Sequence, residues 1–368
     1  MNEHSDARST TITVVVPNYN HGHFLSQSLG SIARQTRPPD EVIIIDDASS
    51  DDSVAVIERI IEGRRGWRLV RSGERGGVIR RLNDGLAQAS GEWVVFLGAD
   101  DGLFPQFIER AAALAVRAPE AGIVSACVAI VGDSLRPGVR PAIIPSTLTG
   151  YVPAAGIRKC LEFTDNFMHG TVALYKREAL VQLGGFDAEV ASLADGFVAR
   201  RLAVRFGLAF IPDVLGYWRQ HGDNLSVLVA NDHDGTEKIV GRAVAVLESE
   251  PAGLYPAGYT ARFLNRLRFS WARFLIFNEE MTATERAAAI AGHLSAGRVG
   301  HFLLRIFAGL GGIGNLAALA WISLRQLPPS TLIRAALEPL RRRFLAPQIK
   351  GSLQRFAKCL GKEPHTPP

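Results

Sequence analysis

Residues 41–53 read EVIIIDDASSDDS, in which Val42-Ile43-Ile44-Ile45 is an unbroken apolar run closed by Asp46-Asp47 and the turn-rich Ala48-Ser49-Ser50-Asp51-Asp52. A short apolar run without alternation is the pattern of a strand buried on both faces. The same pattern recurs on either side. Upstream, Ile12-Thr13-Val14-Val15-Val16 ends at Pro17-Asn18-Tyr19-Asn20, and a helix follows with Phe24, Leu25, Leu29 and Ile32 on one face until Pro38-Pro39 stops it. Downstream, Val54, Ile57, Ile60 and Ile61 mark a second helix, Arg68–Arg71 a third strand and Val78–Ala89 a third helix. Trp93-Val94-Val95-Phe96-Leu97 is the next strand, closed by Gly98-Ala99-Asp100-Asp101. Strands alternating with helices predict an α/β protein with a parallel sheet covered on both faces, and in such sheets ligands bind outside the carboxyl ends of the strands. Both acidic pairs fall there.

The rest of the composition narrows the class. The chain has 368 residues, 47% of them hydrophobic, and a formal net charge of +5, which excludes a disordered or fibrous chain. Three scattered cysteines, Cys127, Cys160 and Cys359, exclude a disulfide framework or a zinc cluster and predict a reducing compartment. The opening MNEHSDARSTT carries no apolar core of a secretory signal. From Arg262 onward there are 16 Lys and Arg against 5 Asp and Glu, on an otherwise acidic body. That asymmetry predicts an anionic partner, either nucleic acid or a membrane surface. Residues 125–195 are less regular, as substrate loops crossing a scaffold are, and beyond residue 236 only helical patterns remain.

The acidic pairs admit two readings. Asp46, Asp47, Asp100 and Asp101 can cap helices and fill turns. Alternatively, two pairs at equivalent strand ends can share one crevice and hold a hard cation whose shell is completed by substrate phosphates.

VVVPNYN, VIIIDDASSDDS, GGVIRRLNDGLAQASGEWVVFLGADD, LGGFD and YWRQHGDNLS occur in that order, and over roughly residues 11–226 the chain resembles family 2 glycosyltransferases of the GT-A fold. The resemblance implies a Rossmann-like, mostly parallel sheet flanked by helices over residues 11–230. A flexible tail over 1–10 precedes it, and a helical, basic C-terminal extension over 231–368 follows. It also implies inverting transfer of a sugar from a nucleoside diphosphate donor, with Mg²⁺ or Mn²⁺ on the diphosphate, to a glycan or lipid-linked hydroxyl in cell-surface polysaccharide synthesis.

Carried over position by position, Pro17 and Tyr19 line the base pocket and Asp47 accepts a hydrogen bond from a uracil or thymine edge. Asp100 binds the metal with Asp101 beside it, and Gly98 stands where the family's first D-x-D aspartate is usual. Asp195 is the catalytic base, with Ala194 in place of the usual Glu. Arg219 and His221 approach the diphosphate, in a polar group completed by Asn224 and Ser226. Of Arg80 and Arg81, adjacent on a helix and so pointing apart, one reaches the phosphates, and Arg81 is assigned. His169 lies on the acceptor side and is read as a satisfied structural histidine. The departures at Gly98 and Ala194 keep a rival reading open, a degenerate domain that binds a nucleotide or glycan without turnover. A nucleotidyltransferase would need a Gly-rich, basic phosphate loop that residues 17–22 do not offer.

Two features of the tail remain. Gly309-Leu310-Gly311-Gly312-Ile313-Gly314 matches a dinucleotide fingerprint, but it lacks the surrounding βαβ unit and an acidic residue before Glu338. Ile306–Leu324 is a run of 19 residues without formal charge between Arg305 and Arg325. It is near bilayer-spanning length but diluted by glycines. Basic flanks on both sides (Arg298 and Arg305 before, Arg334 and Arg341-Arg342-Arg343 after) argue for a hairpin lying on an anionic leaflet, as does the basic, aromatic stretch Arg262–Leu275. The alternative is a helical extension packed on the catalytic domain. Nucleic acid ranks last, since no recognition module accompanies the charge. The expected location is the cytoplasm, in peripheral contact with the inner membrane face.

Overall fold

The structure, a computed structural model, describes residues 10–132, 138–140, 144–221, 233–276, 281–294 and 297–327, together with 329, 332 and 333. Asn224, Ser226, Arg334, Arg341–Arg343, Cys359 and nearly all of the N-terminal tail lie outside the described residues.

The expected opening is found almost residue for residue. Strand β1 is Ile12–Asn18, β2 Glu41–Asp46, β3 Trp67–Arg71 and β4 Trp93–Phe96, with helices α1 Gly22–Ala33, α2 Ser53–Ile61 and α3 Val78–Gln88 between them. β1 pairs in parallel with β2 on one side and β4 on the other, and β3 extends the sheet beyond β2. Alternate side chains leave opposite faces: Val15, Ile43 and Ile45 join one core, Val14, Val16, Val42 and Ile44 the other. The central runs of β1, β2 and β4 are apolar because each is covered twice, whereas β3, at the sheet edge, keeps Arg68 and Arg71.

Beyond β4 the sheet becomes mixed. The remaining strands are β5 Gly102–Leu103, β6 Ile123–Val131, β7 Gly138–Arg140, β8 Gly150–Val152, β9 Ala173–Lys176 and β10 Leu208–Arg219. The order is β3-β2-β1-β4-β9-β6-β10-β5, with β7 on β6 and β8 on β10. β9 runs antiparallel to both β4 and β6, while β10 is parallel to β6. The parallel arrangement read from the sequence is thus the N-terminal half, and the stretch without clear periodicity is where the strand direction changes. Helices α4 Phe107–Arg117, α5 Ala154–Leu161, α6 Arg177–Gln182 and α7 Ala194–Phe206 complete the layers.

Among the described residues five further helices follow: α8 His233–Ser249, α9 Tyr259–Ile276, α10 Ala283–His293, α11 Arg298–Ala308 and α12 Gly311–Gln326. The boundary expected at residue 231 does not separate two cores. Val240, Ala243 and Leu247 of α8 and Tyr259, Phe263, Leu267 and Trp271 of α9 belong to the core beneath the sheet. A separate cluster begins only with Ala272, Leu275 and Ile276, which pack with Ile290, Leu304, Ala318 and Ile322. No helix among the described residues is long and apolar enough to cross a membrane.

Candidate active site

The loops after β1 and β2 are stitched to each other. Asn18 donates its amide to Asp46 (2.8 Å), Ser49 Oγ accepts from the Asn20 N–H (3.0 Å), and Asn20 Oδ1 accepts from the Ser50 N–H (2.8 Å). Asp46 is therefore spent on the turn, where it also accepts from Ser49. Tyr19, at the tip, lies under the Arg75 guanidinium, 4.1 Å from its ring centroid, an ordinary cation–π separation.

Asp47 points the other way. Its carboxylate accepts from the N–H groups of Gly76 (2.7 Å) and Gly77 (2.8 Å) and from Arg81 Nε, and its side chain is 4% exposed. Burial alone pushes this carboxyl up, but those two N–H groups and the guanidinium outweigh it and hold Asp47 below the usual carboxylate range. Three of about four acceptor positions on the carboxylate are filled. Arg81 is also bonded to Asp84 (2.7 Å) and the Glu74 carbonyl (2.8 Å). Arg81, expected at the phosphates, is turned toward Asp47 and the 74–77 loop. Its guanidinium is buried, and its bonds hold Asp47 and the 74–77 loop in place. Arg80 lies on the surface beside Glu74 (3.3 Å).

At the end of β4 the acidic pair splits. Asp101 is buried, and its two oxygens accept from the Thr171 hydroxyl (2.7 Å) and the Arg219 N–H (2.9 Å). Burial first, and then the neighbouring Asp100 charge, push its carboxyl well above the usual range against those two bonds. Asp101, expected beside the metal, ties the β4 turn to β10 and to the 3-10 turn Gly170–Val172. Asp100 faces outward, and its Oδ2 lies 2.9 Å from His221 Nε2. A Cβ built on Gly98 would lie 2.7 Å from Asp100 Oδ1 and 3.2 Å from Asp101 Oδ2, so the glycine leaves the pair room.

The end of β10 closes on this turn. Arg219 donates from Nε to the Asp100 carbonyl (3.0 Å) and from Nη2 to Gln27 (2.7 Å), with its guanidinium 4.8 Å from the Phe24 ring. His221 sits 5.6 Å from the same ring and 5.8 Å from His21. Phe24 and Gln27 of α1 thus brace both residues, a role that their helical spacing did not reveal.

Asp195 stands in the first turn of α7. It is exposed, yet its carboxylate is crowded: a Cβ on Gly170 would fall 2.4 Å from Oδ2. That crowding desolvates the group and raises its pKa above the ordinary value, against the Gly196 N–H and the Arg200 charge. Ala194 is buried in the core beneath. His169 caps the 3-10 turn by accepting from the Thr171 N–H (3.4 Å) and lies 5.0 Å from the Trp218 ring.

Asp100, Arg219, His221 and Asp195 are therefore drawn together through Asp101–Thr171 and the adjoining Gly170. Pro17, Tyr19 and Asp47 share the carboxyl rim one strand away, since β1 lies between β2 and β4. LGGFD adds no chemistry. Gly184 and Gly185 adopt left-handed φ of 84° and 75°, and Phe186 exchanges hydrogen bonds of 2.8 and 2.9 Å with Asn83, locking α3 to the segment leading to Asp195.

Comparison with known proteins bears on the family and the fold. Residues 13–184 match the Glycosyl transferase family 2 model. An uncharacterised glycosyltransferase of Nostoc sp. is 26% identical over 221 residues, 58% of this chain and 66% of that protein. The chain thus spans about two thirds of the length of such curated relatives. Among solved structures, S. aureus TarS in complex with UDP-GlcNAc superposes with a TM-score of 0.57 at 20% identity, over 86% of this chain and 92% of that one. A mannosyltransferase of Pyrobaculum calidifontis in complex with GDP-Man and Mn²⁺ gives 0.51 at 22% identity, over 90% and 84%. The shared fold is GT-A.

Proposed function

Residues 13–184 form a Glycosyl transferase family 2 domain on a GT-A scaffold, and from that premise we propose that this protein is an inverting glycosyltransferase. It moves a sugar from a UDP- or dTDP-linked donor to a hydroxyl of a glycan or lipid-linked acceptor in cell-surface polysaccharide synthesis. Its place is the cytoplasm, at the inner membrane face. The observation that supports this most is Asp195, a solvent-reachable carboxylate with a raised pKa beside Gly170, one residue from the Thr171 that holds the Asp100–Asp101 turn.

In this reading Asp195 takes the acceptor proton as the hydroxyl oxygen attacks the anomeric carbon, and a raised pKa makes it a better base near neutral pH. Arg219 brings positive charge to the diphosphate. Pro17 and Tyr19 line the base pocket, and the remaining acceptor position of Asp47 meets a base N–H. The donor set fits a hard divalent cation: Asp100 with His221, one carboxylate and one imidazole, leaves most of the shell to phosphate and water. Among the described residues no group of three or more His, Cys, Asp or Glu exists to hold it otherwise. When bound, Mg²⁺ or Mn²⁺ neutralises charge on the leaving diphosphate. That the mannosyltransferase complex holds GDP-Man with Mn²⁺, and TarS UDP-GlcNAc, favours a donor of this class.

The test is a thermal-shift screen of UDP, dTDP, GDP and CDP sugars with and without Mn²⁺, joined to a transfer assay. A Mn²⁺-dependent shift with one nucleotide, and transfer abolished by chelator, is the expected result. Gly98 and Ala194 favour the second reading, a domain that binds without turnover. That reading predicts the shift with no hydrolysis of any sugar nucleotide.

A further inference from the structure

Exposed large apolar side chains are scattered over the catalytic domain but crowd onto one hairpin, α11–α12. Val299, Phe302 and Ile306 fall at i, i+3 and i+7 of α11, and Ile313 and Leu316 continue the patch on α12, with Phe302 63%, Ile313 79% and Leu316 64% exposed. The opposite faces, through Leu304, Ala318 and Ile322, are buried in the helical cluster. The hairpin is thus anchored by one side and presents an apolar sheet of side chains on the other. A soluble surface rarely gathers this many exposed large apolar side chains on one helical hairpin without a partner.

The charges around it name the partner. Between Arg286 and Leu337 there is no Asp or Glu, and exposed Arg298, Arg305 and Arg325 flank the patch. A second copy of the chain would offer this stretch only more arginine and no carboxylate to pair with it. An anionic bilayer meets both features, its interface taking the apolar chains and its phosphates the guanidinium groups. Sixteen residues give α12 a length of about 24 Å, short of the hydrocarbon core. We infer that α11–α12 is an in-plane docking surface for anionic membrane lipid, seated by Phe302, Ile313 and Leu316 and held by Arg298 and Arg305.

The inference does not depend on which sugar is transferred, and its test reads binding alone. The full chain is floated with vesicles of phosphatidylcholine, with and without phosphatidylglycerol. Binding to the anionic vesicles, weakened by salt, is expected. The double variant Phe302→Asp/Ile313→Asp is expected to bind at least about tenfold more weakly, while its melting temperature and its stabilisation by sugar nucleotide stay at the parental values. Absence of binding to anionic vesicles overturns the inference. So does equal binding by the variant, or a dimer in sedimentation that these substitutions dissociate.

Discussion

Asp47 and Arg81 are both nearly inaccessible, so their pairing is felt through what its loss would leave behind. Arg81→Met strands a buried carboxylate and is expected to cost about 3–5 kcal/mol, measured by denaturant unfolding. The folded pKa of Asp47 lies below its unfolded value. Its stabilisation is therefore complete above the ordinary carboxylate range and is lost as pH falls through the lowered value. Arg81→Met should flatten that acid limb. Asp195 behaves in the opposite sense: its raised pKa means that ionising it in the folded chain costs stability as pH rises from the unfolded value through the raised one. Asp195→Asn is accordingly expected to melt at or above the wild-type temperature at neutral pH while transfer falls by about 10²–10⁴. In the wild type, turnover should decline as pH falls through a value above that of an ordinary aspartate. In the sequence Asp195 stands out because a family motif marks it. That Asp101 turns inward while Asp100 turns outward is not legible there, since neighbours on a turn carry no periodic signal and Thr171 and Arg219 are remote in the chain. That Arg81 turns to Asp47 is not legible either, since Asp47 follows β2 while Arg81 lies on α3.

Among the elements, α3 is set by contact rather than propensity. A Cβ on Gly85 would sit 2.3 Å from Val15 Cγ1, so the helix rests directly on β1. Alanine would gain about 0.5–1 kcal/mol of helix propensity, but overpacking costs about 1–3 kcal/mol and wins. Gly85→Ala is expected to lower the denaturation midpoint. Strands β1, β2 and β4 were readable because burial on both faces writes itself as Val and Ile runs. β9 was not, because Ala173–Lys176 is short and its antiparallel place between β4 and β6 is decided by distant partners.

For the whole molecule, the composition shift near residue 231 is real but does not mark a seam. Since α8 and the first half of α9 share the core beneath the sheet, a fragment ending at residue 230 should lose cooperative thermal unfolding and expose apolar surface to dye. The expected basic hairpin and its apolar face are found, whereas the residues that carry its last arginines lie outside the described chain. α9 belongs to both halves: Tyr259 and Arg266 bond to the 161–165 segment near α7, while Leu275 and Ile276 enter the hairpin's cluster. Tyr259–Ile276 contains neither proline nor glycine, so the rod has no joint at which to bend. Whatever fixes the far end thereby fixes the tilt of the sheet, so that a molecule reaching its carboxyl rim must arrive at one angle rather than be sought by a swivelling head.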